Sequence, residues 1–315
     1  MKVLVAPASF GRVSSEPLDR LESAGFELVV NPYGRRLAAD EVVALASDCL
    51  GIVSGLEPLT REVIASLPHL RCISRSGSGL DNVDLAAAAE RGIAVRNTKE
   101  APARAVAELT LGLALDLLRD ISGHDRAVRA GEWRKRPGRL LEGCAVGVVG
   151  LGHIGREVAR LFRLMGATLY GTDLAPDAGW ARRAELELGT LPEILSASRI
   201  LTIHVSRSAG DPPLIGRTEL MTLPAGAFLL NLSRGEVVDE PSLLEALRSG
   251  HLGGAGLDVF GSEPYHGALR ELPNVVLTPH IGSSTRETIL RMESEAASNL
   301  IEALTGAPTS GGRSR

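Results

Sequence analysis

Residues 145–173 read AVGVVGLGHIGREVARLFRLMGATLYGTD, and this stretch says more about the architecture than any other. An apolar, β-branched run leads into Gly150-x-Gly152-x-x-Gly155 and then directly into an amphipathic helix pattern. In that arrangement the first glycine permits a tight turn, the second lets a pyrophosphate approach the backbone, and the third allows the helix to pack closely on the sheet. The sequence therefore predicts a dinucleotide-binding turn, with the diphosphate on the free N–H groups at the helix start, around His153 and Ile154.

An acidic residue ends the strand that follows this helix. Asp173 lies 18 residues after Gly155 (173 − 155), close to the spacing of about 20 expected of a ribose-binding acid. A carboxylate there accepts hydrogen bonds from the adenosine ribose hydroxyls and repels a 2′-phosphate, and the neighbouring DLAPDAG contains no arginine to attract one. These features favour NAD over NADP as the cofactor.

Length and composition limit the classes of protein that fit. The chain has 315 residues and a mass of 33.2 kDa, which is enough for two ordinary domains. Hydrophobic residues make up 44% and the mean hydropathy is +0.10, so a compact fold is expected rather than disorder. The net charge of −4 and the aromatic content of 3% provide neither a basic surface nor stacking platforms, and we expect no nucleic-acid partner.

The sequence predicts a cytoplasmic protein without a membrane segment or a metal site. The N-terminus has four apolar residues before Pro7, too few for the core of a signal peptide, and no apolar run approaches the roughly 18 residues of a membrane span. Cys49, Cys72 and Cys144 are widely spaced, which fits reduced structural thiols and argues against a zinc site.

Short apolar runs alternate with helical patterns along the chain, as in α/β folds with parallel sheets. Five such runs occur in the first part of the chain, at Lys2–Ala6, Glu27–Val30, Leu50–Ser54, Arg71–Ser74 and Ile93–Arg96. Six more follow, at Ala145–Val149, Thr168–Thr172, Ile200–Val205, Phe228–Leu232, Gly256–Val259 and Val275–Thr278. We expect a substrate domain formed by residues 1–98 and 283–315, into which a cofactor domain, residues 99–282, is inserted.

Four polar side chains follow predicted strands of the second series: Arg234, Asp258, Glu263 and His280. Because ligands of open parallel sheets bind at the carboxyl ends of the strands, we expect these side chains to converge beside the dinucleotide turn. Each also has an ordinary interpretation, as a solvated loop residue or, for His280, as a histidine near the core.

Together these residue types suit hydride transfer at a carbon that carries a hydroxyl group. His280 would exchange the hydroxyl proton, because histidine titrates near neutral pH. Glu263 would orient the ring and favour its protonated form, and Arg234 would bind a carboxylate through two parallel hydrogen bonds. An arginine, a Glu–His pair and NAD predict interconversion of a 2-hydroxy acid and its 2-keto acid.

Six motifs occur in order along the chain: SGSGLDNVDL, AVAELTLGL, GLGHIG, LNLSRGEVVDE, GAGLDVFGSEP and LTPHIGSST. In these motifs the chain resembles the D-isomer-specific 2-hydroxyacid dehydrogenases, and most of all their D-3-phosphoglycerate dehydrogenase-like branch without a regulatory C-terminal domain. The resemblance implies an α/β fold with two doubly wound parallel-sheet domains, a Rossmann-type cofactor domain inserted into a flavodoxin-like substrate domain, and an active site in the cleft between them.

The resemblance also implies roles for individual residues. Arg234 binds the substrate carboxylate, Glu263 orients and charges the histidine, and His280 is the proton donor and acceptor of a small D-2-hydroxy acid or 2-keto acid. Backbone N–H groups contact the substrate in the loop of Ser76, Gly77, Ser78 and Gly79.

Further implied roles concern the cofactor and a second subunit. The cofactor set is completed by Leu232, by Asp258 against the nicotinamide carboxamide, and by His204, for which a structural role fits equally well. A homodimer is expected, with residues 101–120 and the GEWRKR segment around Trp133 at the interface, although ordinary packing also explains Trp133.

One departure from the family pattern leaves the substrate side chain open. The family's loop usually reads Arg-aromatic-Gly-Val-Gly, whereas this chain has RSGSG, which puts phosphoglycerate in doubt. A rival interpretation is an NAD(H)-sensing interaction protein similar to the C-terminal-binding-protein corepressors, since a fold does not fix a function. Another is formate dehydrogenase, which pairs its histidine with glutamine, and Glu263 argues against it.

Overall fold

The computed structural model describes residues 1–206 and 210–306, and the chain forms two compact units. The first unit comprises Met1–Pro102 and Ser283–Arg315, and the second comprises Ala103–Gly282. The first boundary lies after Pro102 rather than after residue 98, because the helix that opens the second unit begins at Ala103. No helix within the described ranges is long and apolar enough to cross a membrane.

The first unit is built on a five-stranded parallel sheet. Its strands are β1 (Lys2–Val5), β2 (Glu27–Val30), β3 (Gly51–Ser54), β4 (Cys72–Arg75) and β5 (Ala94–Asn97). They lie in the order β2-β1-β3-β4-β5, which is the flavodoxin-like order. The connecting helices are α1 (Glu16–Ser23), α2 (Ala39–Ala46), α3 (Arg61–Ala65) and α4 (Leu85–Glu90).

The second unit is built on a seven-stranded parallel sheet. Its strands are β6 (Ala145–Val149), β7 (Thr168–Thr172), β8 (Leu186–Leu188), β9 (Ile200–Ile203), β10 (Ala227–Asn231), β11 (Leu252–Leu257) and β12 (Val275–Leu277). Its helices are α5 (Ala103–Arg119), α6 (Ile121–Arg129), α7 (His153–Leu164), α8 (Ala178–Arg183), α9 (Leu191–Ala197), α10 (Arg217–Thr222) and α11 (Glu240–Arg248). Two short 3₁₀ helices are formed by Gly235–Val237 and Ala268–Glu271. These two sheets confirm the predicted fold class.

Two sequence expectations for the second sheet are wrong. We expected six strands, and the seventh is β8, whose three residues are too short to give a recognisable pattern. The strand expected to begin at Gly256 begins at Leu252, because glycines here pack instead of forming a loop. A Cβ on Gly254 would lie 2.5 Å from the Asn274 carbonyl oxygen, so this strand needs glycine for its close neighbours.

The strand order of the second sheet, β12-β11-β10-β9-β6-β7-β8, indicates where a ligand would bind. From β6 the chain moves outward to β7 and β8, and from β9 it moves outward in the other direction. Adjacent β6 and β9 therefore form the topological switch point, where a crevice opens at the carboxyl ends of the strands. Apolar helices cover both faces, so alternate residues such as Val148 and Val149 enter two separate cores.

The last helix, α12 (Arg286–Thr305), packs against the sheet of the first unit. Its start is capped by Thr285, whose side chain accepts the Thr288 N–H. Leu300 is fully buried, and the Ser74 hydroxyl donates to the Ala296 carbonyl at 2.7 Å.

Candidate active site

The glycine turn after β6 has the shape that a dinucleotide requires. Gly150 has φ +92°, which favours glycine, and a Cβ on Gly155 would lie 1.8 Å from the Gly150 carbonyl oxygen. A Cβ on Gly152, by contrast, would meet nothing within 4 Å. Gly152 is also the N-cap of α7, and no side chain caps that helix start. Open space in front of a helix start that has no side-chain cap fits a pyrophosphate, which would lie against the first turn of α7 at His153 and Ile154.

The acid at the end of β7 is fixed beside the same turn. Asp173 accepts the Leu151 N–H at 2.6 Å and the Ala175 N–H at 2.9 Å, one on each carboxylate oxygen. Each oxygen retains a lone pair for a ribose hydroxyl. The turn and the acid therefore fit an NAD-type dinucleotide.

His204 follows β9 at the switch point and touches the glycine turn. A Cβ on Gly150 would lie 2.5 Å from the His204 carbonyl oxygen. The His204 Nε2 is 2.8 Å from the Thr202 hydroxyl, while its Nδ1 is buried without a hydrogen-bond partner among the described residues. Burial lowers the pKa of His204 to about 3, so its imidazole is neutral at working pH. Leu232, buried after β10, belongs to the same strand edge.

Arg234 lies on the loop after β10, which a buried amide holds in shape. Asn231 is 1% exposed, and its Oδ1 accepts both the N–H (3.1 Å) and the hydroxyl (2.8 Å) of Ser233. Its Nδ2 donates to the Arg234 carbonyl at 2.8 Å. The Arg234 guanidinium itself donates to the Ser233 carbonyl at 2.7 Å. Sequence reasoning missed Asn231, although its place at the strand end was the available signal.

A close backbone contact joins the Arg234 loop to the loop after β11. A Cβ on Gly235 would lie 1.9 Å from the carbonyl carbon of Phe260 and 2.2 Å from the nitrogen of Gly261. Only glycine permits so close an approach. The contact places the loop of Arg234 against the loop that carries Glu263. Nothing in the sequence indicated this contact at Gly235, because it joins two loops that are distant in sequence.

Glu263 and His280 form the predicted pair. The Glu263 Oε2 lies 2.9 Å from the His280 Nδ1, and its Oε1 accepts the Phe260 N–H at 3.1 Å. Their side chains are 34% and 40% exposed, so the pair is accessible to a small ligand. His280 has φ +54°, a left-handed conformation that is uncommon for residues other than glycine and that clusters at functional sites.

Asp258 holds the loop that carries His280, which follows β12. It is 1% exposed, and its carboxylate accepts the Thr278 hydroxyl at 2.6 Å and the N–H groups of Ile281 and Gly282, each at 2.8 Å. These three hydrogen bonds to one buried carboxylate hold the Thr278 side chain before His280 and the backbone of Ile281 and Gly282 after it. The expected contact with the nicotinamide carboxamide stays a prediction, and Oδ2, with one donor, retains a lone pair for it.

The loop Ser76–Gly79 follows β4 in the first unit and is held by its neighbours. The Ser76 N–H donates to the Ser54 carbonyl at 2.8 Å, and the Gly77 N–H donates to the Thr98 hydroxyl at 2.7 Å. Of the four N–H groups, only those of Ser78 and Gly79 lack an acceptor among residues 1–206 and 210–306. The substrate-binding role of this loop stays a prediction, narrowed to those two donors.

Across the described residues, no group of three or more His, Cys, Asp or Glu side chains could hold a metal ion.

Comparison with known proteins places this geometry in a family. Residues 111–282 match the model of the D-isomer specific 2-hydroxyacid dehydrogenase NAD binding domain. The D-3-phosphoglycerate dehydrogenase of Archaeoglobus fulgidus is 33% identical over 313 residues, which cover 98% of this chain and 58% of that protein. The chain spans about half the length of the curated relatives it matches.

Solved structures agree with the sequence comparison. The TT0316 protein from Thermus thermophilus is 35% identical with a TM-score of 0.88, over 98% of this chain and 99% of that one. A glyoxylate reductase from Paecilomyes thermophila is 28% identical with a TM-score of 0.87, over 98% and 97% of the two chains. The predictions of the family and of NAD as the cofactor are confirmed. The chain belongs to the D-isomer specific 2-hydroxyacid dehydrogenase family.

Proposed function

We propose that the chain is an NAD-dependent oxidoreductase that interconverts a small D-2-hydroxy acid and its 2-keto acid. The observation that carries this proposal is the 2.9 Å contact between Glu263 and His280 on the carboxyl edge of the sheet that bears the dinucleotide turn. An accessible histidine paired with a carboxylate is an acid–base unit, and its position is where ligands of such sheets bind.

In this proposal the chain's own residues handle the proton and the carboxylate. Glu263 engages Nδ1 of His280, so Nε2 is the atom that exchanges a proton with the substrate oxygen. When bound, NAD would accept the hydride in oxidation of the hydroxy acid, and NADH would donate it in reduction of the keto acid. In reduction the His280 Nε2 gives its proton to the carbonyl oxygen as the carbon accepts hydride, and oxidation reverses both transfers. Arg234 binds the substrate carboxylate with its planar guanidinium.

The relatives bear on the substrate only by analogy. One is named for D-3-phosphoglycerate and one structure for glyoxylate, which both fit a 2-hydroxy or 2-keto acid. Ser76 and Ser78 replace the usual residues of the substrate loop, so the side group of the acid is left open.

NADH oxidation against a panel of 2-keto acids tests the proposal. The panel covers glyoxylate, hydroxypyruvate, phosphohydroxypyruvate and bulkier or phosphonate-bearing analogues, each with NADH and with NADPH. We expect one compound to stand well above the rest and NADPH to perform poorly, because Asp173 repels a 2′-phosphate. Tight NADH binding without turnover of any compound would instead favour the NAD(H)-sensing interaction protein.

We also propose a cytoplasmic homodimer. Burial raises the pKa of the Cys49 thiol to about 11 and of the Cys72 thiol to about 12, which suits inert reduced thiols. Exposed apolar side chains in the segment between α6 and β6 include Trp133 at 81% and Leu140 at 71% exposure, as interfaces often show. Light scattering of the wild-type protein and of Trp133→Ser tests the dimer, and a monomeric wild type would contradict it.

A further inference from the structure

The carboxylate that holds His280 lies on an exposed turn. Residues 261–264 have no regular secondary structure, and all four are exposed. An exposed side chain on an irregular turn normally samples several rotamers, yet Glu263 must keep one position to hold the imidazole. Some other part of the chain has to restrain this turn.

Tyr265 provides the restraint at the end of the turn. Its ring stacks on Phe260, with centroids 4.4 Å apart and planes 21° apart, so the two ends of the turn are clamped together. Its hydroxyl donates to the Glu240 Oε1 at 2.6 Å and accepts the Leu269 N–H at 3.3 Å. A Cβ on Gly267 would lie 2.3 Å from this hydroxyl, so glycine makes room for it.

The same contacts reach the loop of the candidate carboxylate clamp. Glu240 is the first residue of α11, which follows the 3₁₀ helix that begins directly after Arg234. Phe260, the stacking partner of Tyr265, is also the residue against which Gly235 packs. The turn of Glu263 is therefore tied at two places to the segment that carries Arg234.

We infer that Tyr265 and Glu240 are positioning residues, which together hold the Glu263 carboxylate against the His280 Nδ1 and fix that pair relative to the Arg234 loop. The inference rests on the proposed function, because it assumes that His280 is the acid–base group. The charged groups that act on the Tyr265 hydroxyl are Glu240 and Arg270. Burial, with the contribution of Glu240, raises the pKa of Tyr265 to about 12, so the hydroxyl remains a donor throughout the neutral range.

Tyr265→Phe tests the inference, because it keeps the ring stack and removes only the hydroxyl. For the preferred 2-keto acid we expect kcat to fall about 10-fold, the worth of one hydrogen bond to a charged group. The alkaline limb of the pH profile for reduction should move to lower pH, because a less firmly held carboxylate supports the imidazolium less. Glu240→Ala should behave in the same way, whereas Glu240→Gln, which keeps an acceptor for the hydroxyl, should recover most of the rate. Tyr170→Phe, a tyrosine elsewhere in the second unit, is the matched control and should leave the rate unchanged.

Imidazole nitrogen NMR of the ligand-free protein gives a readout that does not need turnover. We expect Tyr265→Phe to change the His280 Nδ1 signal, and Tyr170→Phe to leave it as in the wild type. An unchanged His280 signal in Tyr265→Phe overturns the inference, whatever the rate does. A changed signal in a protein that reduces no 2-keto acid refutes the proposed function and leaves the positioning of His280 standing.

Discussion

Gly235→Ala is the sharpest perturbation that the site offers, because it pushes two loops apart without removing any functional group. The added Cβ would lie 1.9 Å from the Phe260 carbonyl carbon, 2.2 Å from the Gly261 nitrogen and 2.3 Å from the Phe260 carbonyl oxygen. All three atoms are backbone, so no side chain can rotate away. Ordinary contact begins near 3.4 Å, and the loops must therefore separate by about 1.5 Å.

That separation moves Arg234 away from the Glu263–His280 pair. Misplacement of reacting groups by about 1 Å can lower a rate about 100-fold, so we expect kcat/KM for the preferred 2-keto acid to fall by about two orders of magnitude. The cost in the free energy of unfolding should be about 1–3 kcal/mol, as for other overpacked sites. NADH affinity should change little, because the glycine turn after β6 is elsewhere on the sheet edge.

Gly261→Ala is the matched control for this prediction. It lies on the same pair of loops, but its Cβ would meet nothing within 4 Å. Steady-state kinetics and thermal unfolding of both variants separate positioning from general destabilisation. The reasoning is refuted if Gly235→Ala retains wild-type kcat/KM, or if Gly261→Ala loses as much activity as Gly235→Ala.

Three further substitutions probe other contacts. Gly152→Ala should leave the melting temperature unchanged, because its Cβ meets open space, but should weaken NADH binding measured by fluorescence; unaltered affinity would contradict the position of the pyrophosphate. Asp258→Asn should lower kcat about 10-fold or more and cost about 1–3 kcal/mol in urea unfolding, because an amide N–H₂ would face the Ile281 or Gly282 N–H donor; wild-type values for both would exclude it as the support of the loop. The pKa of His204 is lowered to about 3 in the folded chain and is near 6.5 when unfolded, so its contribution to stability is complete above pH 6.5 and is lost as pH falls toward 3. Between pH 8 and pH 5 the wild type should therefore lose about 2 kcal/mol more than His204→Gln in urea unfolding, and equal losses would refute a buried neutral imidazole.

The parts of the fold that the sequence predicted are those encoded within one continuous segment. The bounds of β6 and β7 are the predicted ones, because the residues of each strand form one apolar run. The glycine turn marks the end of β6, and Asp173 marks the end of β7. The strand β8 and the early start of β11 were missed, since a three-residue edge strand and a glycine-rich strand carry no local periodicity.

The candidate site shows the same division. Arg234, Glu263 and His280 were identifiable because each follows a strand end, where a parallel sheet places its ligands. Their supports were not identifiable, because the approach of Gly235 to Phe260 and the bond from Tyr265 to Glu240 join segments that are distant in sequence. The sequence also did not predict the groups that donate hydrogen bonds to Asp258, because they approach its carboxylate only when the loop after β12 is folded.

The acid–base role of His280 is the central claim, and turnover of His280→Ala with the preferred 2-keto acid tests it most directly. We expect kcat to fall by about 10²- to 10⁴-fold, the usual contribution of a positioned acid–base group, with the dissociation constant of NADH nearly unchanged. A His280→Ala variant that reduces the 2-keto acid at the wild-type rate would contradict the account.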